Sequence, residues 1–192
     1  MKEHHAPTRC SWANPSNPLY LDYHDHEWGV PTYEDRALFE LLVLEGAQAG
    51  LSWETVLNKR ENYRKAFDDF DVQKVAAYDE DKIATLLQNP GIIRNQLKIR
   101  SAIRNAKVFI EIQEEFGSFS AFIWGYVDHT PILNHFEDIN EIPAQTPLSE
   151  SISKALKKRG MNFVGPTIMY AYMQSTGMVN DHLAGCFKRI RN

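Results

Sequence analysis

Lys154-Ala155-Leu156-Lys157-Lys158-Arg159-Gly160-Met161-Asn162-Phe163-Val164-Gly165-Pro166-Thr167 is the stretch that decides the fold. It predicts a helix, a tight turn with a glycine at each end, and a second helix opening at Pro166, where proline's fixed φ suits a first helical turn and its missing N–H costs nothing. Such a turn exposes backbone N–H groups at a helix N-terminus, a ready seat for phosphate. Lys154, Lys157, Lys158 and Arg159 crowd the first helix. They either attract a nucleic-acid backbone without reading its sequence, or complement the helix dipole and solvate a face. Arg94, Lys98, Arg100, Arg104 and Lys107 form a second basic run with the same two uses.

Helical periodicity extends in both directions from this hairpin. Thr32 is a candidate N-cap, and Leu38, Leu41, Leu42 and Glu45 share one face of a helix that ends near Gly46 to Gly50. Ser52 caps the next segment, where Val56, Tyr63 and Phe67 face inward, and Asp71 and Asp79 open two short helices. After Asn89-Pro90-Gly91 a long helix runs through Leu97, Ile99, Ile103, Ala106, Ile110 and Ile112 to Gly117, and Ser118 caps a segment holding Phe119, Phe122, Ile123 and Trp124. Asp128 to Pro147 reads as a loop around a short apolar piece; Ser149 or Ser151 opens the first hairpin helix, Gly177 closes the second, and a last helical turn spans Asn180 to Arg189. No alternating run is long enough to support a sheet. The fold class is therefore all-α, with roughly eight to ten helices counted from this punctuation.

The 192 residues, 43% hydrophobic and 24% charged, fit one unit, 1–192, of two packed helical lobes, with residues 1–8, including His4 and His5, as a solvated tail. A net charge of −4 means that a polyanionic partner must be met by a local basic patch. No apolar run approaches membrane length and Met1 to Thr8 lacks the apolar core of a secretory signal, so a cytosolic (cytoplasmic) protein with no membrane association, acting as a monomer, is expected. In a reducing compartment its two cysteines serve as metal ligands or buried hydrophobes rather than as a disulfide.

His182 and Cys186 are four apart, a spacing that places imidazole and thiolate on one face of a helix. With Cys10 and His24, fourteen apart, they make a Cys2His2 set of the closed kind that structural zinc prefers. The competing use is plain burial of both pairs. If a metal binds, it staples the N-terminal segment to the C-terminal one and, with no open coordination position, activates no water.

Trp12, Tyr20, Tyr23, Trp28 and Trp53 are interleaved with these ligands, and Glu45 sits on the apolar face of its helix, with Gly46 and Gly50 leaving room nearby. A carboxylate there costs several kcal/mol unless it is paired or functional. Either it forms an ion pair with a buried arginine, or it lies in an aromatic pocket suited to a flat cationic heterocycle held by stacking and cation–π attraction.

Arg9-Cys10-Ser11-Trp12, Tyr23-His24-Asp25-His26-Glu27-Trp28-Gly29-Val30-Pro31, Leu44-Glu45-Gly46-Ala47-Gln48-Ala49-Gly50-Leu51-Ser52-Trp53, Arg60-Glu61-Asn62-Tyr63-Arg64, Gly91-Ile92-Ile93-Arg94, Phe163-Val164-Gly165-Pro166-Thr167 and Val179-Asn180-Asp181-His182 resemble the DNA-3-methyladenine glycosylase I (Tag) family. The resemblance runs from about Arg9 to Cys186. It implies a helix-hairpin-helix glycosylase fold and a base-excision repair hydrolase that cleaves the N-glycosidic bond of 3-methyladenine in alkylated double-stranded DNA. It implies structural zinc, one ion per chain, at Cys10, His24, His182 and Cys186. It further implies that Glu45 and Tyr23 are the catalytic pair acting on the extruded base, that Trp53 stacks on it with Trp12 and Trp28 in the same pocket, and that Lys158, Arg159, Gly160, Val164 and Gly165 of the hairpin grip phosphate.

Most relatives in that superfamily carry an aspartate two residues before a histidine; aligned through His182, the position is Asn180, and Asp181 is offset by one. A cationic methylated base is already a good leaving group, so extrusion, positioning and electrostatics suffice. Glu45 either accepts from the base edge or orients water. No lysine stands in a nucleophile role, so no lyase step is expected. The alternatives are a non-catalytic zinc-stabilised DNA-binding module and a nucleosidase acting on free purines.

Overall fold

The protein is described here by a computed structural model covering residues 7–190, so His4 and His5 lie outside the described residues. Among the described residues there are ten α-helices: α1 (Pro18–His26), α2 (Asp35–Gln48), α3 (Trp53–Leu57), α4 (Arg60–Ala66), α5 (Val72–Ala76), α6 (Glu80–Gln88), α7 (Gln96–Phe116), α8 (Phe119–Trp124), α9 (Pro147–Arg159) and α10 (Pro166–Ser175). Short-range capping chemistry sets most of the starts. The side chains of Ser52, Asp71, Asp79 and Ser118 each accept a backbone N–H bond in the first turn of α3, α5, α6 and α8, as the sequence predicts, and Asn95 does so for α7.

Several boundaries differ from the sequence expectation. Helix α1 goes unpredicted because only Tyr23 and His24 are buried on it, so it has almost no apolar stripe; its signal is the Asn17 cap with Pro18 behind it. Glu34, not Thr32, caps α2, since Thr32 is held outside the helix by backbone bonding to Thr176 and by Trp124 Nε1, which donates to its carbonyl at 2.8 Å. Helix α9 starts two residues before Ser149, at Pro147, through a capping box between Thr146 and Ser149. Leu97, expected in the core stripe of α7, is 70% exposed.

The expected last helical turn, Asn180 to Arg189, is absent. Val179–Asn180 (β2) instead pairs in parallel with Ile132–Leu133 (β1), the apolar piece of the loop after α8, and the chain beyond β2 is irregular. This two-stranded contact is the only sheet among the described residues.

Helix α2 is the centre of the molecule. Every residue from Leu38 to Ala47 is buried, and α3, α7, α8 and α10 pack around it. Most buried apolar side chains join one large core that includes Leu38, Phe39, Phe109, Ile123, Trp124 and Met173. A smaller cluster of Cys10, Tyr23, Trp28, Leu57, Leu183 and Cys186 lies beside it, and Trp53 packs against both. Among the described residues no helix is long and apolar enough to cross a membrane.

Candidate functional site

Cys10, His24, His182 and Cys186 are all buried, and their ligating atoms lie within 4.8 Å of one another. Cys186 Sγ is 3.4 Å from His24 Nε2 and 3.5 Å from His182 Nδ1, and Cys10 Sγ is 3.6 Å from His182 Nδ1. Each imidazole spends its other nitrogen on an acceptor: His24 Nδ1 on Asp25 Oδ1 at 2.7 Å, and His182 Nε2 on the Trp28 carbonyl at 3.0 Å. Such outward acceptors fix ring orientation in metal centres. Arg9 in turn grips Asp25 with two bonds, of 2.8 and 2.6 Å, and holds its carboxyl down at about 2. Burial lowers the pKa of both histidines, His182 to about 4, and so leaves neutral rings able to coordinate. The set can hold a metal ion. The sequence brings these four residues together correctly but for a partly wrong reason, since His182 and Cys186 lie on an irregular segment rather than on a helix.

Directly beside this cluster is a cavity of about 310 Å³ whose walls include Trp12, Tyr20, Tyr23, Trp28, Glu45 and Trp53. All the aromatic and acidic residues singled out in the sequence are therefore in one place. The rings support one another: Trp12 meets Trp28 edge-on at 4.8 Å and Tyr20 at 5.4 Å, and Tyr23 lies 5.2 Å from Trp53. The metal-ligating rings back the cavity, with His24 at 5.1 Å from Trp12 and His182 perpendicular to Trp28 at 4.8 Å.

Glu45 is 3% exposed and makes no ion pair; the arginines nearest in sequence pattern, Arg60 and Arg64, are engaged by Glu27, Glu40 and Glu61. Burial pushes the Glu45 carboxyl up to about 8, with the Ser175 hydroxyl pulling weakly the other way. Glu45 Oε2 and Trp53 Nε1 are the two buried side-chain polar atoms without a hydrogen-bond partner among the described residues, and both belong to cavity walls. A buried acceptor and a buried donor left unpaired by the protein are available to a ligand that can pair with them.

The hairpin forms as the sequence predicts. Gly160 ends α9 in the left-handed region at φ +103°, its N–H and that of Met161 turning back to Lys157 and Leu156 in a Schellman turn, and Pro166 opens α10 with no side chain capping it. Helix α7 holds the turn: Asn105 donates to the Asn162 carbonyl at 2.8 Å and accepts from its N–H at 2.9 Å, while Arg104 bonds the Gly160 carbonyl. The basic residues divide. Lys157 and Lys158 are exposed, whereas Arg159 is tied to Glu115, Arg100 to Glu80, and Lys98 to the carbonyls of Ala47 and Ala49 at the end of α2. The Val164 side chain is fully buried, so only its backbone can face a ligand.

The cavity also takes Gln48, Ile139, Ile142, Ala171 and Gln174. Gln48 ends α2 three residues after Glu45; nothing in the sequence marks the other four, because they reach the wall from α10 and from the loop after β1 only through tertiary packing. Asn180 and Asp181 are buried but do not line the cavity: Asn180 Oδ1 accepts from the His182 N–H, and Asp181 accepts from three neutral donors.

An all-helical chain with a helix-hairpin-helix turn, a closed Cys2His2 set and an acidic, tryptophan-walled cavity defines a class of proteins that hold a flat heterocycle. The family model for methyladenine glycosylase matches residues 12–189. The chain is 49% identical over 178 residues to "DNA-3-methyladenine glycosylase 1" of Escherichia coli K12, covering 93% of this chain and 95% of that one. It is 48% identical over 179 residues to "DNA-3-methyladenine glycosylase" of Haemophilus influenzae, covering 93% and 96%. A solved structure of 3-methyladenine DNA glycosylase I superposes with a TM-score of 0.92 at 49% identity, over 95% of this chain and 100% of that one. The Staphylococcus aureus glycosylase, solved for the structural basis of its 3-methyladenine recognition, gives 0.92 at 35% identity over 98% and 100%. This chain belongs to the methyladenine glycosylase family.

Proposed function

We propose that this protein is a monofunctional base-excision repair glycosylase that hydrolyses the N-glycosidic bond of 3-methyladenine in alkylated double-stranded DNA. The observation that carries the proposal is Glu45: a buried carboxyl without a cationic partner, one oxygen unpaired, in the wall of a cavity that also holds three tryptophans and two tyrosines. A purine methylated at N3 is flat and cationic. It supplies the missing countercharge, and stacking on Trp53 with the field of Glu45 favours it over neutral adenine by about 1–2 kcal/mol each. The cation also opposes the desolvation that keeps Glu45 protonated, so entry of the base ionises the carboxyl.

The weakened pairing of a damaged base helps its extrusion. Tyr23 contacts the extruded base, and Trp12 and Trp28 close the aromatic wall. Cleavage of the sugar–base bond leaves its electron pair on the base, which departs neutral; a water oxygen bonds to the sugar carbon and its surplus proton passes to solvent. Glu45 either accepts from the base edge or orients this water. The hairpin holds the duplex through phosphate, using Lys158, Arg159 and the backbone N–H groups of Val164 and Gly165, while Gly160, its own N–H and carbonyl already paired, shapes the turn. Arg159 must exchange Glu115 for the phosphate to take part.

Cys10, His24, His182 and Cys186 would hold a structural zinc ion. Tetrahedral zinc with Zn–S of about 2.3 Å and Zn–N of about 2.0–2.1 Å has S···N edges near 3.5 Å, and three of the sulfur–nitrogen separations run from 3.4 to 3.6 Å. When bound, the ion supplies folding free energy by joining the segment before α1 to the segment after β2. The chain works in this proposal as a single unit and a monomer in the cytosol.

The test is a base-release assay on methylated duplex DNA, reading 3-methyladenine against 7-methylguanine. Release of 3-methyladenine that Glu45→Ala abolishes supports the proposal. Duplex binding with no base released, or release from free nucleosides alone, overturns it. Glu45→Gln separates the two roles of the carboxyl: retained base binding with lost excision assigns it to the water.

A further inference from the structure

Cavity residues that can hydrogen-bond a purine edge differ in how firmly their polarity is fixed. Tyr20 and Tyr23 carry hydroxyls that rotate between donor and acceptor roles. Glu45 holds a proton in the free protein, where burial pushes its carboxyl up to about 8, and becomes an acceptor pair once a cationic base ionises it. Trp53 Nε1 only donates. None of these has an acceptor held towards the cavity by a buried protein partner. Adenine presents an N6 amino donor where guanine presents the O6 acceptor, and telling them apart requires a group that cannot change its polarity.

Gln174 is such a group. It projects from α10 into the cavity wall, and its Nε2 donates to Asp181 Oδ2 at 2.8 Å. Asp181 is completely buried, and its carboxylate accepts from three donors: Asn134 Nδ2 at 2.7 Å, Tyr170 OH at 2.6 Å and Gln174 itself. A carboxylate can only accept, so the amide nitrogen of Gln174 must face Asp181 and its carbonyl oxygen must face away. Among the described residues that oxygen receives no hydrogen bond from the protein.

We infer that Asp181 locks the Gln174 amide so that its carbonyl oxygen is a fixed acceptor in the cavity wall, making Gln174 a specificity-determining residue that pairs with an adenine-type amino edge and repels a guanine-type carbonyl edge. Asp181 is then a positioning residue, acting through Gln174 rather than on the base. This also accounts for an aspartate next to His182 that stays clear of the reacting bond: its three donors hold it against α10 and β1. The inference rests on the proposed function, since it names the discriminating contact in the same cavity.

The experiment uses duplex DNA treated with a methylating agent, which carries 3-methyladenine and 3-methylguanine together, and measures release of both bases by wild type, Asp181→Asn and Gln174→Leu. An asparagine at 181 can donate to Gln174 and so permits the amide to flip. Both variants are expected to raise the ratio of 3-methylguanine to 3-methyladenine release about tenfold, the size of one neutral hydrogen bond. A merely structural role would lower both rates together and leave the ratio alone, and that result overturns the inference. Because Asp181→Asn touches a buried network and can impair folding, Gln174→Leu, at a half-buried site, is the deciding variant. Failure of wild type to release either base strikes the proposed function itself, whereas normal wild-type release with unchanged variant ratios strikes only the Gln174 assignment.

Discussion

His182 Nε2 lies 3.0 Å from the carbonyl oxygen of Trp28, and the two rings stand perpendicular at 4.8 Å. A residue of the metal-ligating set thus holds the backbone of a residue in the cavity wall, and His24 does much the same for Trp12 through ring contact at 5.1 Å. The cluster and the cavity are one structure. With a metal ion held by this set, as proposed, its removal by a chelator should therefore do two things: lower Tm by roughly 10 °C or more and weaken 3-methyladenine binding, followed by quenching of tryptophan fluorescence. A drop in Tm with base affinity intact would separate the two.

Glu45 makes stability depend on pH in an unusual direction. Its folded pKa is raised from 4.5 to about 8, so between those values the folded state holds a proton that the unfolded chain has lost. The free protein should lose stability as pH rises through that window, by of order a few kcal/mol. Glu45→Gln removes the titration. Urea unfolding at several pH values should give a flatter profile for the variant and greater stability than wild type near the upper end; parallel profiles would count against the buried, unpaired carboxyl.

Trp53 contributes a stacking face and an unpaired indole N–H to the cavity. Trp53→Leu keeps apolar bulk and removes both, at a cost of about 1–2 kcal/mol in base binding. The expected outcome is KM raised roughly tenfold in the base-release assay, with circular dichroism unchanged.

Asn105 and Lys158 act on the hairpin differently. Asn105→Ala removes two bonds to Asn162 and leaves a turn N–H unpaired, costing about 1–3 kcal/mol; DNA affinity should fall while the slope of log affinity against log salt is kept. Lys158→Ala leaves the turn intact and should reduce that slope by about 1. Binding isotherms over a salt series distinguish them.

Gly177 has φ +72°, and a Cβ there would meet the carbonyl carbon of Val30 at 2.3 Å. Backbone cannot yield as a side-chain tip can. Gly177→Ala should destabilise by about 3 kcal/mol or more, combining left-handed strain with the clash, and thermal unfolding will show it as a large drop in Tm.

The sequence by itself determined the helices whose instructions are local. Ser52, Asp71, Asp79 and Ser118 cap as read, Gly117 and Gly160 close their helices in the left-handed region, and the hairpin from Lys154 to Thr167 folds as its residues dictate, since capping and glycine conformations involve neighbours a few residues apart. The Cys2His2 set was legible from its donor types and the pocket from Glu45, since a carboxylate on an apolar helix face is costly to bury without a purpose. Tertiary structure alone decided the rest. It turned the segment after β2 into an irregular strap that carries His182 and Cys186 instead of a helix, since pairing of Val179 and Asn180 with β1 outweighs weak local helix preference. It left Glu45 without an arginine by giving Arg60 to Glu27 and Glu40. It brought Gln174 to the cavity and aimed its amide through Asp181, seven residues further along the chain. No local pattern encodes that polarity, because the direction of an amide is fixed by the hydrogen bonds that surround it after folding.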